Sequence, residues 1–174
     1  MSVVEEREIV GRAAAKDVAA FNALARQHQS KVRGLLLRLT RGNHALADDL
    51  AQETFLEAWR GLSQFRGDSA FSTWLYRIAY SRYLMTARKR KPDEQLDDWQ
   101  GESPSGESAT LARVDLERAF AKLSAPESAA LTLCFALGLS NTEAAEAMNV
   151  PLGTLKSHVL RGREKLKIIL GDPT

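Results

Sequence analysis

Apolar residues recur with helical spacing over residues 18–39, 46–62 and 71–87, and again over 111–123, 127–137, 142–148 and 152–170. Breaks around Gly42 and Gly67 separate the first three segments, and no alternating strand-like run interrupts the pattern. The expected fold is all-α, with two small helical domains holding three helices and four. Between them the periodicity stops. Residues 92–112 contain no Lys or Arg, while Asp93, Glu94, Asp97, Asp98, Glu102 and Glu107 stand among Pro, Ser and Gly. The expected division is a domain over 1–91, a flexible acidic linker over 92–112 and a second domain over 113–174. At about 3.3 Å per extended residue, such a linker lets the domains part by several tens of ångströms.

The most informative stretch is FRGDSAFSTWLYRIAYSRYLMTARKRK, residues 65–91, where a polar loop, an aromatic-rich helix and a basic tail follow one another. With Leu75 central on the buried face, a turn of about 100° per residue sets Phe71, Ile78, Ala79 and Met85 beside it. Thr73, Arg77, Tyr80, Ser81 and Leu84 fall opposite. Exposed rings beside guanidinium groups stack on unpaired bases, at about 1 to 3 kcal/mol per base, and Arg88, Lys89, Arg90 and Lys91 attract phosphate. The equally simple alternative is that Trp74, Tyr76 and Tyr83 fill gaps between helices and the basic run is a solvated helix end.

In the second domain the local pattern is a helix-turn-helix. Ser140 or Asn141 caps a short helix in which Ala144, Ala145 and Ala147 permit close packing, and Asn149-Val150-Pro151 supplies the turn. On the next helix Leu155, Val159, Leu166 and Ile169 form the inward stripe, with Gly162 allowing close approach. Thr154, Ser157, Leu160 and Arg161 point outward, Lys156 flanks them, and Arg163 and Lys165 follow. A helix so decorated suits a major groove, with Arg161 on guanine, Leu160 on a thymine methyl and the later cations on phosphates. A merely solvated surface helix has the same pattern.

Composition removes other classes. The 174 residues are 44% apolar, which excludes a wholly disordered chain, and the net charge of +2 says little until its distribution is considered. The single Cys134, in the apolar run LTLCFALGL, cannot form an internal disulfide and reads as a small core residue of a protein in a reducing compartment. No apolar run reaches 18 residues and the acidic start MSVVEEREIV is unlike a signal peptide, so the expected location is the cytoplasm, without membrane insertion. His28, His44 and His158 lie far apart, no phosphate-cradling glycine loop occurs, and Asp48 and Asp49 point about 100° apart on a helix. No catalytic residue, metal site or cofactor is expected.

DDLAQETFLEAW, residues 48–59, and FRGDSAFSTWLYRIA, residues 65–79, resemble the second conserved region of bacterial sigma factors of the extracytoplasmic function (group IV) family. LGTLKSHVLRGREKL, residues 152–166, resembles that family's promoter-reading helix. The resemblance implies a non-enzymatic alternative sigma factor that binds core RNA polymerase, selects promoters and helps to open the −10 region. It also implies that Asp49, Gln52, Glu53 and Leu56 dock on the β′ clamp helices and that the second domain meets the β flap. The separated −10 strand would lie on Arg66, Gly67, Asp68, Ser69, Thr73, Arg77, Tyr80, Ser81, Arg88 and Arg90. The duplex −35 element would be read by Thr154, Lys156, Ser157, His158, Leu160, Arg161, Arg163 and Lys165. An anti-sigma factor is a further implied partner, and the acidic linker would enter polymerase as a charge mimic of nucleic acid, unless it is only a spacer.

Several positions depart from the family pattern. Ser81 stands where Asn is common, Met85 where Asp is frequent, and His158 and Leu160 where Arg and His are common, so the promoter sequence does not carry over from relatives. Ala144 replaces a customary Ile, a smaller apolar contribution. A rival reading is a helix-turn-helix transcriptional regulator acting without polymerase docking, which leaves the first half unexplained. A decoy that binds polymerase or an anti-sigma protein is another, and an RNA-binding adaptor conflicts with the narrow major groove of RNA.

Overall fold

The computed structural model describes residues 1–90 and 111–171. Among these residues there are eight α-helices and no strand: α1 (Val3–Ala14), α2 (Val18–Leu39), α3 (His44–Gly61), α4 (Phe71–Lys89), α5 (Leu111–Ala121), α6 (Ala125–Leu131), α7 (Asn141–Met148) and α8 (Leu152–Leu170). A 3₁₀ turn, Leu62–Gln64, ends α3, and a π-helical turn, Thr132–Ala136, extends α6. Of the segment expected as a linker, only residues 111 and 112 are described, and they open α5; the acidic residues 93–107 lie outside the described residues.

Side-chain caps fix where most helices begin. The Asp17 carboxylate accepts from the Ala20 amide at 3.2 Å, and the Asn43 side-chain oxygen from the Leu46 amide at 3.1 Å. Ser2, Ser124 and Ser140 each form a capping box with the Glu three residues on. Ser140, rather than Asn141, is therefore the cap of α7. Helix α1 was absent from the sequence expectation, because its exposed Val3 and Val4 blur the apolar period.

Leu24, Val32, Leu35 and Leu36 of α2, Leu50 of α3 and Leu75 and Tyr76 of α4 are fully buried, each burial contributing about 1.5 to 3 kcal/mol. The same apolar cluster continues into the second helical region through Ala129, Ala130, Leu133, Ala144, Ala147, Met148 and Leu155. It does so because α4 packs on α2 and α3 and also on α7, while α2 packs on α5 and α6. A smaller cluster of Phe120, Leu123 and Leu131 seats α5 and α6 under Val159 and Leu166 of α8.

Four expectations about faces are corrected. Thr73 and Tyr80, expected opposite the core, are 2% and 5% exposed, since the far side of α4 is itself packed. Met85 and Ile169, expected in core stripes, are exposed, whereas Tyr83 and Leu84 beside Met85 pack on the core. Tyr80 is buried deeply enough that desolvation, with the neighbouring Tyr83, pushes its phenol up to about 12.

Gly162 faces α6, where a Cβ would stand 2.8 Å from Leu131 Cδ1 and 3.2 Å from its Cγ. Gly162→Ala gains about 0.5 to 1 kcal/mol of helix propensity but forces Leu131 to move within a closed cluster, at about 1 to 3 kcal/mol. The net expectation is a loss of about 1 kcal/mol, read as a lowered midpoint in thermal or urea unfolding.

Candidate nucleic-acid and polymerase interfaces

The outer face of α3 is set by its inner one. Ala47, Leu50, Thr54 and Ala58 are buried at helical spacing, which leaves Asp49, Gln52, Glu53 and Leu56 exposed together on the opposite arc. Leu56 is 52% exposed at the centre of this acidic patch. Neighbouring acids are spent internally. Asp48 accepts from Arg33 at 2.6 Å and Glu57 pairs with Arg82 of α4, whereas Asp49 and Glu53 enter no ion pair among the described residues. Arg82 thereby offsets the like-charge repulsion between Glu57 and Glu53, one turn apart on α3.

The loop before α4 exposes Arg66, Gly67 and Asp68, with Ser69 half-buried. Gly67 has φ +76°, a turn that a side chain would strain. Beneath the loop, Phe65 lies 5.1 Å from Trp74 and 6.2 Å from Phe71, ring centre to ring centre, so these rings form a platform rather than an exposed stack. On α4 itself Arg77, Ser81 and Arg88 are exposed while Thr73 and Tyr80 are buried, and Arg90, just past the helix end, is half-buried. Arg77 donates to the side-chain oxygen of Asn149, at the end of α7, at 3.3 Å. The expected −10 residues therefore fall into two groups: an open loop and basic tail, and a helix face on which α7 lies.

Closure is supported at a second point that the sequence did not disclose. Arg38 of α2 reaches the second helical region, with its guanidinium 4.3 Å over the Phe120 ring, 3.4 Å from Glu117 and 3.5 Å from the Thr132 hydroxyl. A basic residue near a helix end has many uses, and nothing in the spacing of residues 18–39 signals one 79 residues further along.

Helix α8 presents the second set. Asn149 takes left-handed backbone angles, φ 53° and ψ 48°, to end α7, and Pro151 precedes α8 after the tight corner. Leu155 and Gly162 are the buried positions of α8. Thr154, Lys156, Ser157, Leu160, Arg161, Arg163 and Lys165 are exposed and His158 half-buried, so the outward arc is as expected. The side chains are not all free. Lys165 donates to both oxygens of Glu127 at 2.9 Å, Arg161 Nε stands 4.0 Å from the same carboxylate, and Arg161 donates to His158 Nδ1 at 3.0 Å. Burial and then the Arg161 charge push the His158 imidazole below its usual range, outweighing Glu127, which suits an accepting ring nitrogen. Glu127 was not a candidate on sequence grounds, although Ser124-x-x-Glu127 carries the capping-box signal.

Among the described residues no group of three or more His, Cys, Asp and Glu could hold a metal ion, and no helix is long and apolar enough to cross a membrane.

Burial would raise the Glu127 carboxyl, but Lys165 and the Ser124 hydroxyl and amide outweigh it and hold it below the usual range. A depressed folded-state pKa stabilises above the unfolded value of 4.5 and is lost as pH falls through the folded one. Glu127→Gln should therefore unfold at neutral pH more easily than the parent and lose less stability on acidification from about pH 5 downward, as followed by circular dichroism melts across that window.

The family model for Sigma-70 region 2 matches residues 24–92, and that for Sigma-70, region 4 matches residues 113–166. The chain is 35% identical to the RNA polymerase sigma-H factor of Pseudomonas aeruginosa, over 93% of this chain and 92% of that protein. It is 36% identical to the ECF RNA polymerase sigma-E factor of Escherichia coli, over 92% of each. Among solved structures it is similar to the sigma factor RpoE of Bartonella quintana in complex with the anti-sigma factor NepR, with TM-score 0.79 and 26% identity over 90% of this chain and all of that one. The fold is also that of CnrH in complex with the cytosolic domain of CnrY, with TM-score 0.73 and 23% identity over 97% and 99% of the two chains. With both conserved regions in order and full-length relatives above 30% identity, this chain belongs to the extracytoplasmic function sigma factors of the sigma-70 family.

Proposed function

We propose that the chain acts as an alternative sigma factor that binds core RNA polymerase, directs it to specific promoters and helps to open the −10 region, without chemistry of its own. The observation that carries this reading is the separation of two unlike surfaces on one chain: an acidic patch around exposed Leu56 on α3 and an exposed basic face on α8. The acidic patch repels DNA and suits a protein, and the basic face suits a duplex groove. A regulator that binds DNA alone has no use for the first.

In this reading Asp49, Gln52, Glu53 and Leu56 dock on the β′ clamp helices, and the second helical region meets the β flap. Arg66, Gly67, Asp68 and Ser69 take a base turned out of the −10 strand, offsetting part of its unstacking cost. Arg88 and Arg90 attract its phosphates, and Thr73, Arg77, Tyr80 and Ser81 receive the strand once α7 has moved off α4. Thr154, Lys156, Ser157, His158, Leu160, Arg161 and Arg163 address the −35 duplex, beside Lys165, which is already engaged by Glu127. The likeness to RpoE bound to NepR supports an anti-sigma factor as a further partner. The chain is assigned to the cytoplasm, with domains over 1–91 and 113–174.

Run-off transcription with bacterial core polymerase from the promoter upstream of the chain's own gene tests the reading. Transcripts should require the added chain. Arg161→Ala should cost about 1 to 3 kcal/mol of promoter discrimination while keeping core binding, and Asp49→Ala with Glu53→Ala should lose core binding while keeping duplex binding. Duplex binding with no affinity for core would leave only the regulator.

The covered face of α4 yields a second test. Arg38→Ala with Asn149→Gly removes the Arg38 contacts and the Arg77 acceptor but keeps a residue at ease with positive φ at 149. Each 1.4 kcal/mol lost from closure should strengthen binding of a single-stranded oligonucleotide to the free chain about tenfold, by fluorescence anisotropy. Unchanged binding would mean that the α4 face is not where the strand lies.

A further inference from the structure

Glu127 is a charged residue only 4% exposed, three residues into α6 and far along the chain from the cations it meets. Its carboxylate does three things at once. It caps α6 by accepting from the Ser124 amide at 3.0 Å, it holds the Lys165 ammonium at 2.9 Å on both oxygens, and it stands 4.0 Å from Arg161 Nε. Arg161 also donates from a terminal nitrogen to His158 Nδ1 at 3.0 Å. A guanidinium with a carboxylate 4.0 Å from its Nε and one terminal nitrogen bonded to its own helix is biased in orientation, which favours planar, two-pronged contact with a base edge.

We propose that Glu127 is a positioning residue for promoter recognition: it withholds Lys165 from the DNA phosphates and sets the guanidinium of Arg161 for base readout. The proposal rests on the reading of α8 as the helix that enters duplex DNA, and assigns to an internal contact one cation that the sequence offered to phosphate. A cation already neutralised by a buried carboxylate releases no counterion when DNA binds. The chain thereby gives up non-specific affinity on α8 and keeps the readout of its base-facing residues.

The test uses the full-length chain and two labelled duplexes, one enriched by the wild-type chain from a random pool and one of random sequence, titrated over a series of KCl concentrations. Glu127→Gln keeps the α6 cap, because Gln serves at the same capping-box position, and removes the charge. It should steepen the salt dependence on random duplex by about one phosphate contact, an extra loss of about 3.5-fold between 50 and 200 mM salt, and narrow the preference for the enriched duplex. Lys165→Gln should leave the slope as in the wild type, and adding it to Glu127→Gln should return the steepened slope to the wild-type value. A purely structural Glu127 would lower the melting temperature without moving the slope, and that result overturns the proposal. So does a shallower slope for Lys165→Gln alone, which would make Lys165 a phosphate contact while the reading of α8 stands. If the wild-type chain enriches no duplex sequence, the reading of α8 fails and the proposal falls with it.

Discussion

The packing of α7 against α4 is the contact on which the remaining arrangement depends. Buried Ala144, Ala145 and Ala147 give α7 a surface without long side chains, so its backbone can approach a second helix as well as its own partners α6 and α8. One apolar cluster then runs from α2 through α4 and α7 to Leu155 of α8, and the two helical regions share a core rather than only a tether. Arg38 reinforces the union from α2, and its worth comes from being mostly enclosed: with only 19% of its side chain exposed, its contacts with Phe120, Glu117 and Thr132 are poorly screened by water. Ala144 reads in isolation as a loss of apolar surface from the helix-turn-helix. In the structure it is fully buried in the apolar cluster that the two helical regions share.

Much of the fold was legible because helical periodicity and capping chemistry agree with each other. Seven of the helices lie where apolar spacing put them, and the corner at Asn149 and Pro151 follows from residues with few other uses in that order. Helix α1 was missed because exposed valines mask its inward face, although its Ser2 and Glu5 capping box is plain in the sequence. The acidic arc of α3 and the outward arc of α8 were legible for the same reason: one buried stripe per helix fixes the exposed face opposite. Helix α4 broke that rule. A helix with two packed sides has no single polar face, and periodicity centred on Leu75 cannot tell that Thr73 and Tyr80 are buried or that Arg77 meets Asn149, 72 residues later.

Charge accounting was the other blind spot. Counting cations on α8 gives an upper limit to those available for DNA, because the count does not know where the carboxylates of other helices end up. Glu127 and Lys165 are 38 residues apart and meet only because Gly162 lets α8 settle onto α6 close to Leu131. The same holds on α3, where Arg33 and Arg82 absorb Asp48 and Glu57 and so sharpen the patch formed by the acids left over. In both places the binding character of a surface is decided by which charges are already satisfied inside the molecule.

The cover over α4 makes the chain's own second half a rival to any strand that would bind there. Because the two halves are covalently joined, that rival is present at an effective concentration on the order of millimolar, far above any dilute DNA site, and dilution does not weaken it. A partner that gripped both halves and held them apart would remove the rival without touching the α4 face at all. Occupancy of α4 by any ligand would then be governed by the distance between the two grips, so that the geometry of such a partner, and not its affinity alone, would set when the face is open.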